Sequence, residues 1–209
     1  VNKFKLLALL FITLLTACSP KQQATSTPDP TQKEVKTLSC PKPLGISTTE
    51  LKKNITTALL SYGRTVDLQK STLSDNHCGA IENIERDFAT IQIRTNKNNQ
   101  VTVVAIGFEL VKPEIGRQTP ESKAANINNI FSAIQTVLSI NGTTDFEEYE
   151  TGKALLQTFF NALDESNKNI TAEIQKDLYR DDVLYRVSIA NNFNIVISAI
   201  GQPEPKQES

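Results

Sequence analysis

The sequence has no methionine, no tryptophan, one histidine and only three cysteines in 209 residues. Each scarcity closes off a class of function. With His77 alone, a metal centre would have to be built from Cys40, Cys78 and His77, and a tetrahedral zinc site would still want a fourth ligand. A lone histidine beside two cysteines is also a poor general base. The chain carries no Gly-x-Ser-x-Gly, no His-Glu-x-x-His and no phosphate-cradling glycine loop, so the usual nucleophile, zinc-protease and nucleotide motifs are missing. Its main apolar run, Leu6–Leu15, is interrupted only by Thr13 and is well short of the ~20 residues a spanning helix needs. Basic residues are not in excess: 22 Lys and Arg stand against 23 Asp and Glu, for a net charge of −1. Nothing there would neutralise a phosphate backbone, and no nucleic-acid partner is expected. Even an initial methionine is lacking, and Val1 reads as a start codon translated literally.

What is present is ordinary globular material, 39% hydrophobic and 22% charged, long enough for one domain or two small ones packed together. The first residues differ from the rest. Lys3 and Lys5 precede the apolar run, and small Thr16 and Ala17 lead to Cys18. This is the order of a signal peptide. Removal of residues 1–17 would take away two lysines and no acid, leaving a more acidic chain.

Leu15-Thr16-Ala17-Cys18 resembles the lipobox of bacterial lipoprotein precursors. The resemblance implies a diacylglyceryl thioether on Cys18, cleavage just before it, and acylation of the new amine. Small side chains at Thr16 and Ala17 suit a peptidase cleft, and a thiolate is the nucleophile the thioether needs. Two or more acyl chains anchor stably where one would not. Ser19, by analogy with enteric lipoproteins, implies outer-membrane sorting where the cell has an outer membrane.

Residues 18–39 are polar, with Pro20, Pro28 and Pro30, and read as a lipidated flexible tether; residues 203–209 read as a disordered tail. An exported location makes a Cys40–Cys78 disulfide the expectation. It would tie the start of the folded region to a turn at Asn76–Gly79. Neither a cofactor nor a metal is expected.

The folded region is predicted to be α+β, as two related α-β-β-β units over residues 40–112 and 113–202, the second with an extra helix. Together they would give an antiparallel sheet with helices on one face. Ser47 and Glu50 form a capping-box pattern, and Leu51, Ile55, Ala58, Leu59 and Tyr62 predict a helix over Thr48–Tyr62. A strand is expected near Thr65–Gln69. A hairpin is expected from the alternation at Ala89–Arg94 and Val101–Ile106, turning at Asn96–Asn99. Thr119-Pro120-Glu121 opens a second helix with a stripe of Ile127, Ile130, Phe131, Ile134 and Val137 or Leu138. Thr144 and Glu147 form a further capping box before a helix lined by Gly152, Leu155, Leu156, Phe159, Phe160 and Leu163. Three strands follow: one at Ile170, Ala172 and Ile174, then Val183–Ile189 and Phe193–Ala199, with a turn at Asn191-Asn192.

The two halves echo each other. Arg86-Asp87, Asn98-Asn99 and Ala105-Ile106-Gly107 recur as Arg180-Asp181, Asn191-Asn192 and Ala199-Ile200-Gly201. This order looks like the fold group of the β-lactamase inhibitory protein and of small outer-membrane assembly lipoproteins, a likeness of topology that carries no shared motif and bears on fold more than on function. A sheet with helices on one face leaves the other to water. That face, with Gln92, Arg94, Thr102, Arg186 and Ser188, or a sheet edge, is the expected binding surface. The carboxylate groups at Glu147, Glu148 and Glu150 and at Asp181 and Asp182 read as solvated charge rather than an acid–base pair. The leading functional expectation is a lipid-anchored, non-enzymatic envelope module with membrane lipid and an envelope protein as partners. An envelope inhibitor or immunity factor comes second and an enzyme third.

Overall fold

The computed structural model describes residues 39–111, 119–142, 149–169, 171–191 and 193–202. Residues from Cys40 onward form one compact unit of α+β class, with helices packed on a seven-stranded antiparallel sheet. The sheet runs without a break across the boundary expected between the two units.

Helix α1 (Thr48–Leu60) begins where Ser47 accepts a hydrogen bond from the Glu50 amide at 3.2 Å, satisfying one of the donors a helix start leaves free. Leu51, Ile55, Ala58 and Leu59 are its buried face. The chain leaves it through Gly63 at φ +68°, a left-handed conformation that costs glycine little.

The strand expected at Thr65–Gln69 does not form. Val66 and Leu68 are buried, but the Asp67 carboxylate accepts from the Gln69 amide at 3.0 Å and curls the backbone into a turn. Their alternation reflects two anchors of an irregular segment. A hairpin follows instead, β1 (Thr72–Asn76) and β2 (Gly79–Glu85). Asn76 Oδ1 caps its turn by accepting from the amides of Cys78 and Gly79, at 2.8 and 3.0 Å.

β3 (Thr90–Thr95) and β4 (Val101–Glu109) form the expected hairpin. Asn96 Oδ1 accepts from the Asn98 and Gln100 amides, and Asn99 sits at φ +59°. Helix α2 (Pro120–Leu138) is capped by Thr119, which accepts from the Ser122 amide. Ile130, Ile134, Val137 and Leu138 are buried, while Ile127 is 53% exposed, so the apolar stripe is narrower than expected. A short 3₁₀ turn, Ser139–Asn141, ends at Gly142. Helix α3 (Glu150–Lys168) buries Gly152, Leu155 and Phe159 and half-buries Leu156 and Leu163, while Phe160 is 47% exposed. The second capping box, at Thr144 and Glu147, lies outside the described residues.

Strand β5 (Ile174–Arg180) starts later than expected. Ala172 instead closes a turn onto the Asn169 carbonyl, and Ile170 lies outside the described residues. Asp181 and Asp182 turn β5 into β6 (Val183–Ala190), both at positive φ, 50° and 60°. That is the two-residue hairpin geometry in which Asp and Asn are tolerated. β7 (Asn194–Gly201) completes the sheet.

The strand order is β1-β2-β3-β4-β7-β6-β5. The last strands of the two halves, β4 and β7, pair antiparallel, so β2-β3-β4 and β5-β6-β7 lie symmetrically about the centre. Arg86-Asp87 and Arg180-Asp181 fall at the β2–β3 and β5–β6 connections, and Asn99 and Asn191 both take positive φ, 59° and 52°, between strands. Ala-Ile-Gly falls on equivalent strands but out of phase. Ile106 pairs with Ile197 and joins the helix-side core, whereas Ile200 pairs with Val103 and looks the other way. One residue of difference inverts the face of a strand.

The helix-side core joins Leu51, Ile55 and Leu59 of α1, Ile130 and Ile134 of α2, and Leu155 and Phe159 of α3 to Ile91, Ile106, Tyr185, Val187 and Ile197 of the sheet. Tyr185 keeps its phenol satisfied, as Oη accepts from Asn141 Nδ2 at 3.1 Å. Two predictions follow from this packing. Phe159 has no exposed surface, and Phe159→Ala should lower stability in urea unfolding by about 3–5 kcal/mol. Burial pushes the Tyr185 phenol up to about 12, against a weaker opposing effect of the Asn141 hydrogen bond. An unfolded tyrosine ionises near ~10, so the folded chain favours the neutral phenol. That contribution is full below pH ~10 and is lost as pH rises through the folded value. Ultraviolet titration should show one late-ionising tyrosine, absent in Tyr185→Phe.

Candidate functional site

Three places gather polar chemistry. The first is the sheet face away from the helices. It does not lie open to water: Gln92 is 4% exposed, Thr102 3%, Arg186 6% and Ser188 5%, and Arg94 is half-buried. The expectation of a solvent-facing polar surface is therefore corrected. These side chains are satisfied within the sheet. Arg94 Nε donates to Gln92 Oε1 at 2.8 Å, and Gln92 Nε2 donates to Asn83 Oδ1 at 2.8 Å. Arg186 grips Asp177 with two hydrogen bonds, Nε to Oδ1 and Nη2 to Oδ2, each 2.8 Å. Burial lowers the Arg94 pKa from its ordinary value, since desolvation disfavours charge. Val103, Ala105, Leu184 and Ile200 are buried alongside. The bidentate Arg186–Asp177 pair is the expected form for a charge held out of water.

Asp177 was not singled out from sequence, yet its partner follows once the turn is known. With Asp181 and Asp182 as the two turn residues, Asp177 and Arg186 stand directly across the hairpin. Glu82 was missed in the same way. It takes Lys52 from α1 at 2.6 Å and also accepts from the Ser71 hydroxyl, so it joins helix to sheet.

The second place is an open groove of about 600 Å³ between α1 and the irregular 66–69 segment, lined by Thr48, Thr49, Lys52, Lys53, Thr56 and Thr57 on the helix side. Of its charges, Lys52 binds Glu82 and the Asp67 carboxylate accepts from the Gln69 amide.

The third is the tip of the β1–β2 hairpin. Cys40 and Cys78 are disulfide-bonded, with an S–S distance of 2.04 Å and a Cα–Cα separation of 5.5 Å, as their residue types suggested. His77 Nε2 lies 3.2 Å from Cys78 Sγ. The three possible ligand atoms are all within 4.8 Å of one another, so the structure does assemble the cluster weighed above as a metal site. With the bond intact neither sulfur is a thiolate, and a soft metal would find one imidazole.

No family model, curated protein or solved structure matches this chain. Asp181 and Asp182 are exposed in their turn, while Glu147 and Glu148 lie outside the described residues, as does Cys18. Glu150 is exposed in the first turn of α3, paired with Lys153 at 3.0 Å, where its charge complements the helix dipole.

Asp177→Ala removes the carboxylate that accepts two hydrogen bonds from the buried Arg186 guanidinium. Such a loss costs on the order of 3 kcal/mol, to be read as a lower urea midpoint. A change within about 0.5 kcal/mol, the size of a surface substitution, would show instead that the pair contributes little.

Proposed function

We propose that this protein is a lipid-anchored module of the bacterial cell envelope, held by acyl chains on Cys18 and acting by binding another envelope protein. The observation that carries the reading is the Cys40–Cys78 disulfide at the start of the folded unit. Disulfides form and persist in oxidising, exported compartments, and this one follows a sequence ordered as basic residues, apolar run, small residues and cysteine. A closed loop of 38 residues' separation contributes about 4 kcal/mol in the chain-entropy estimate. Among the described residues no helix is long and apolar enough to cross a membrane.

The corrected sheet face moves the proposed contact to an edge. All five residues of β1 are exposed, and Leu73 is 74% exposed. As an end strand, β1 offers unpaired backbone groups on its outer side, the chemistry by which an extended partner segment adds to a sheet. Alternate side chains of such a segment would meet Leu73.

The anchor is tested by Cys18→Ala in the producing cell. The proposal expects loss of fatty-acid labelling and movement of the protein from the membrane to the soluble fraction. Retained labelling would overturn it. For the contact, Ser74→Pro should abolish crosslinking to the envelope partner seen with the unaltered chain, whereas an unchanged crosslink would remove β1 from the interface.

A further inference from the structure

The disulfide has two unlike ends. Cys40 is exposed, whereas Cys78 is half-buried. His77 Nε2 stands 3.2 Å from the Cys78 sulfur. Cys78 and its neighbour Gly79 are fixed in the hairpin turn by Asn76 Oδ1, so the imidazole and the sulfur share one short, tightly bonded turn. Cys40 is secured two residues on, where the Lys42 amide donates to the Gly201 carbonyl at 2.7 Å. That attachment is close-fitting: a Cβ on Gly201 would come within 2.0 Å of the Lys42 carbonyl oxygen.

Thiol–disulfide exchange depends on which sulfur can be reached and on how well the other leaves. A neighbouring imidazolium stabilises a departing thiolate and can protonate it. We infer that Cys40–Cys78 is a polarised, exchange-competent disulfide, in which an incoming thiolate attacks Cys40 and Cys78 departs with a proton from His77. In that step the attacking sulfur bonds to Cys40 Sγ as the Cys40–Cys78 bond breaks. The electron pair passes to Cys78 Sγ, which takes the Nε2 proton, and the imidazole regains a proton from water. The products are a mixed disulfide on Cys40 and a free thiol on Cys78, with no net oxidation. The co-reactant is a thiol, either small or on a protein. Cys40, joined to the fold through Lys42, is the end that would carry the captured group, and Cys78 stays in the turn beside its acid.

The test uses the full-length chain with Cys18→Ala, oxidised, so that one disulfide and no other thiol is present. It is treated with reduced glutathione without denaturant, quenched with iodoacetamide and mapped by peptide mass spectrometry. Glutathione on Cys40 with the alkyl group on Cys78 is the expected product. The reverse placement, or reaction only after unfolding in urea, would overturn the inference. The rate gives a second measure that leaves both sulfurs in place. His77→Gln should slow exchange by about tenfold or more, toward the ~10²-fold a positioned acid supplies, with an unchanged circular dichroism spectrum. An equal rate in that variant would remove His77 from the step.

Discussion

The pairing of β4 with β7 is the contact on which the architecture depends. It brings together strands about ninety residues apart in sequence and runs from Val103↔Ile200 to Glu109↔Asn194. Both strands are flanked by their own hairpin partners, β3 and β6, so this one antiparallel ladder fuses two local sheets into seven continuous strands. It also sets which residues face the helices. Val104, Ile106 and Phe108 meet Ala199, Ile197 and Ile195 in the same layer, and α2 packs over both strands at this junction. A slip of β7 by one residue would turn its three core residues away from the helices while those of β4 stayed in place, breaking the shared layer.

That register also explains the second face. Val103, Ala105, Ser198 and Ile200 share it, giving the centre of the sheet an apolar stripe on the side without helices. Toward each edge the composition becomes polar, and the polar groups bond along and across strands: Arg94 to Gln92 within β3 and Gln92 to Asn83 of β2 on one flank, Arg186 to Asp177 on the other. Buried charge is tolerated there because each guanidinium meets an oxygen acceptor, and Arg186 meets a carboxylate in two-point geometry. Both faces are buried at the central strands, while β1 and much of β5 remain exposed.

The extremities carry the accessible chemistry. At the β1 end are a fully exposed strand, the disulfide and the molecule's sole imidazole. The hairpin bearing them is bound to the rest by Lys52–Glu82, which connects α1 to β2, and by the Ile84–Ile91 pair within the core. A buried centre with a chemically distinct edge suits the proposed module, which would meet partners at its rim.

Local signals were legible where one residue type dictates backbone geometry. Ser47 and Thr119 marked helix starts, the Asn96–Asn99 cluster marked a hairpin, and the alternating apolar residues of β3, β4, β6 and β7 marked strands, because those constraints act within a few residues. The turn at Asn76–Gly79 was legible but the strands of the β1–β2 hairpin were not, since its outer strand is wholly exposed and carries no alternation to read. Ile127 and Phe160 sat at helical core spacing yet remain in part exposed, since periodicity names a stripe but not how much of it a neighbour covers. The Cys40–Cys78 link could be expected from cysteine number together with the export that the N-terminal pattern suggests. His77 against Cys78, Asp177 against Arg186, and the burial of the second face were settled by tertiary structure. They depend on register between strands and on what stacks above them, and a sequence read one segment at a time holds no distance between segments.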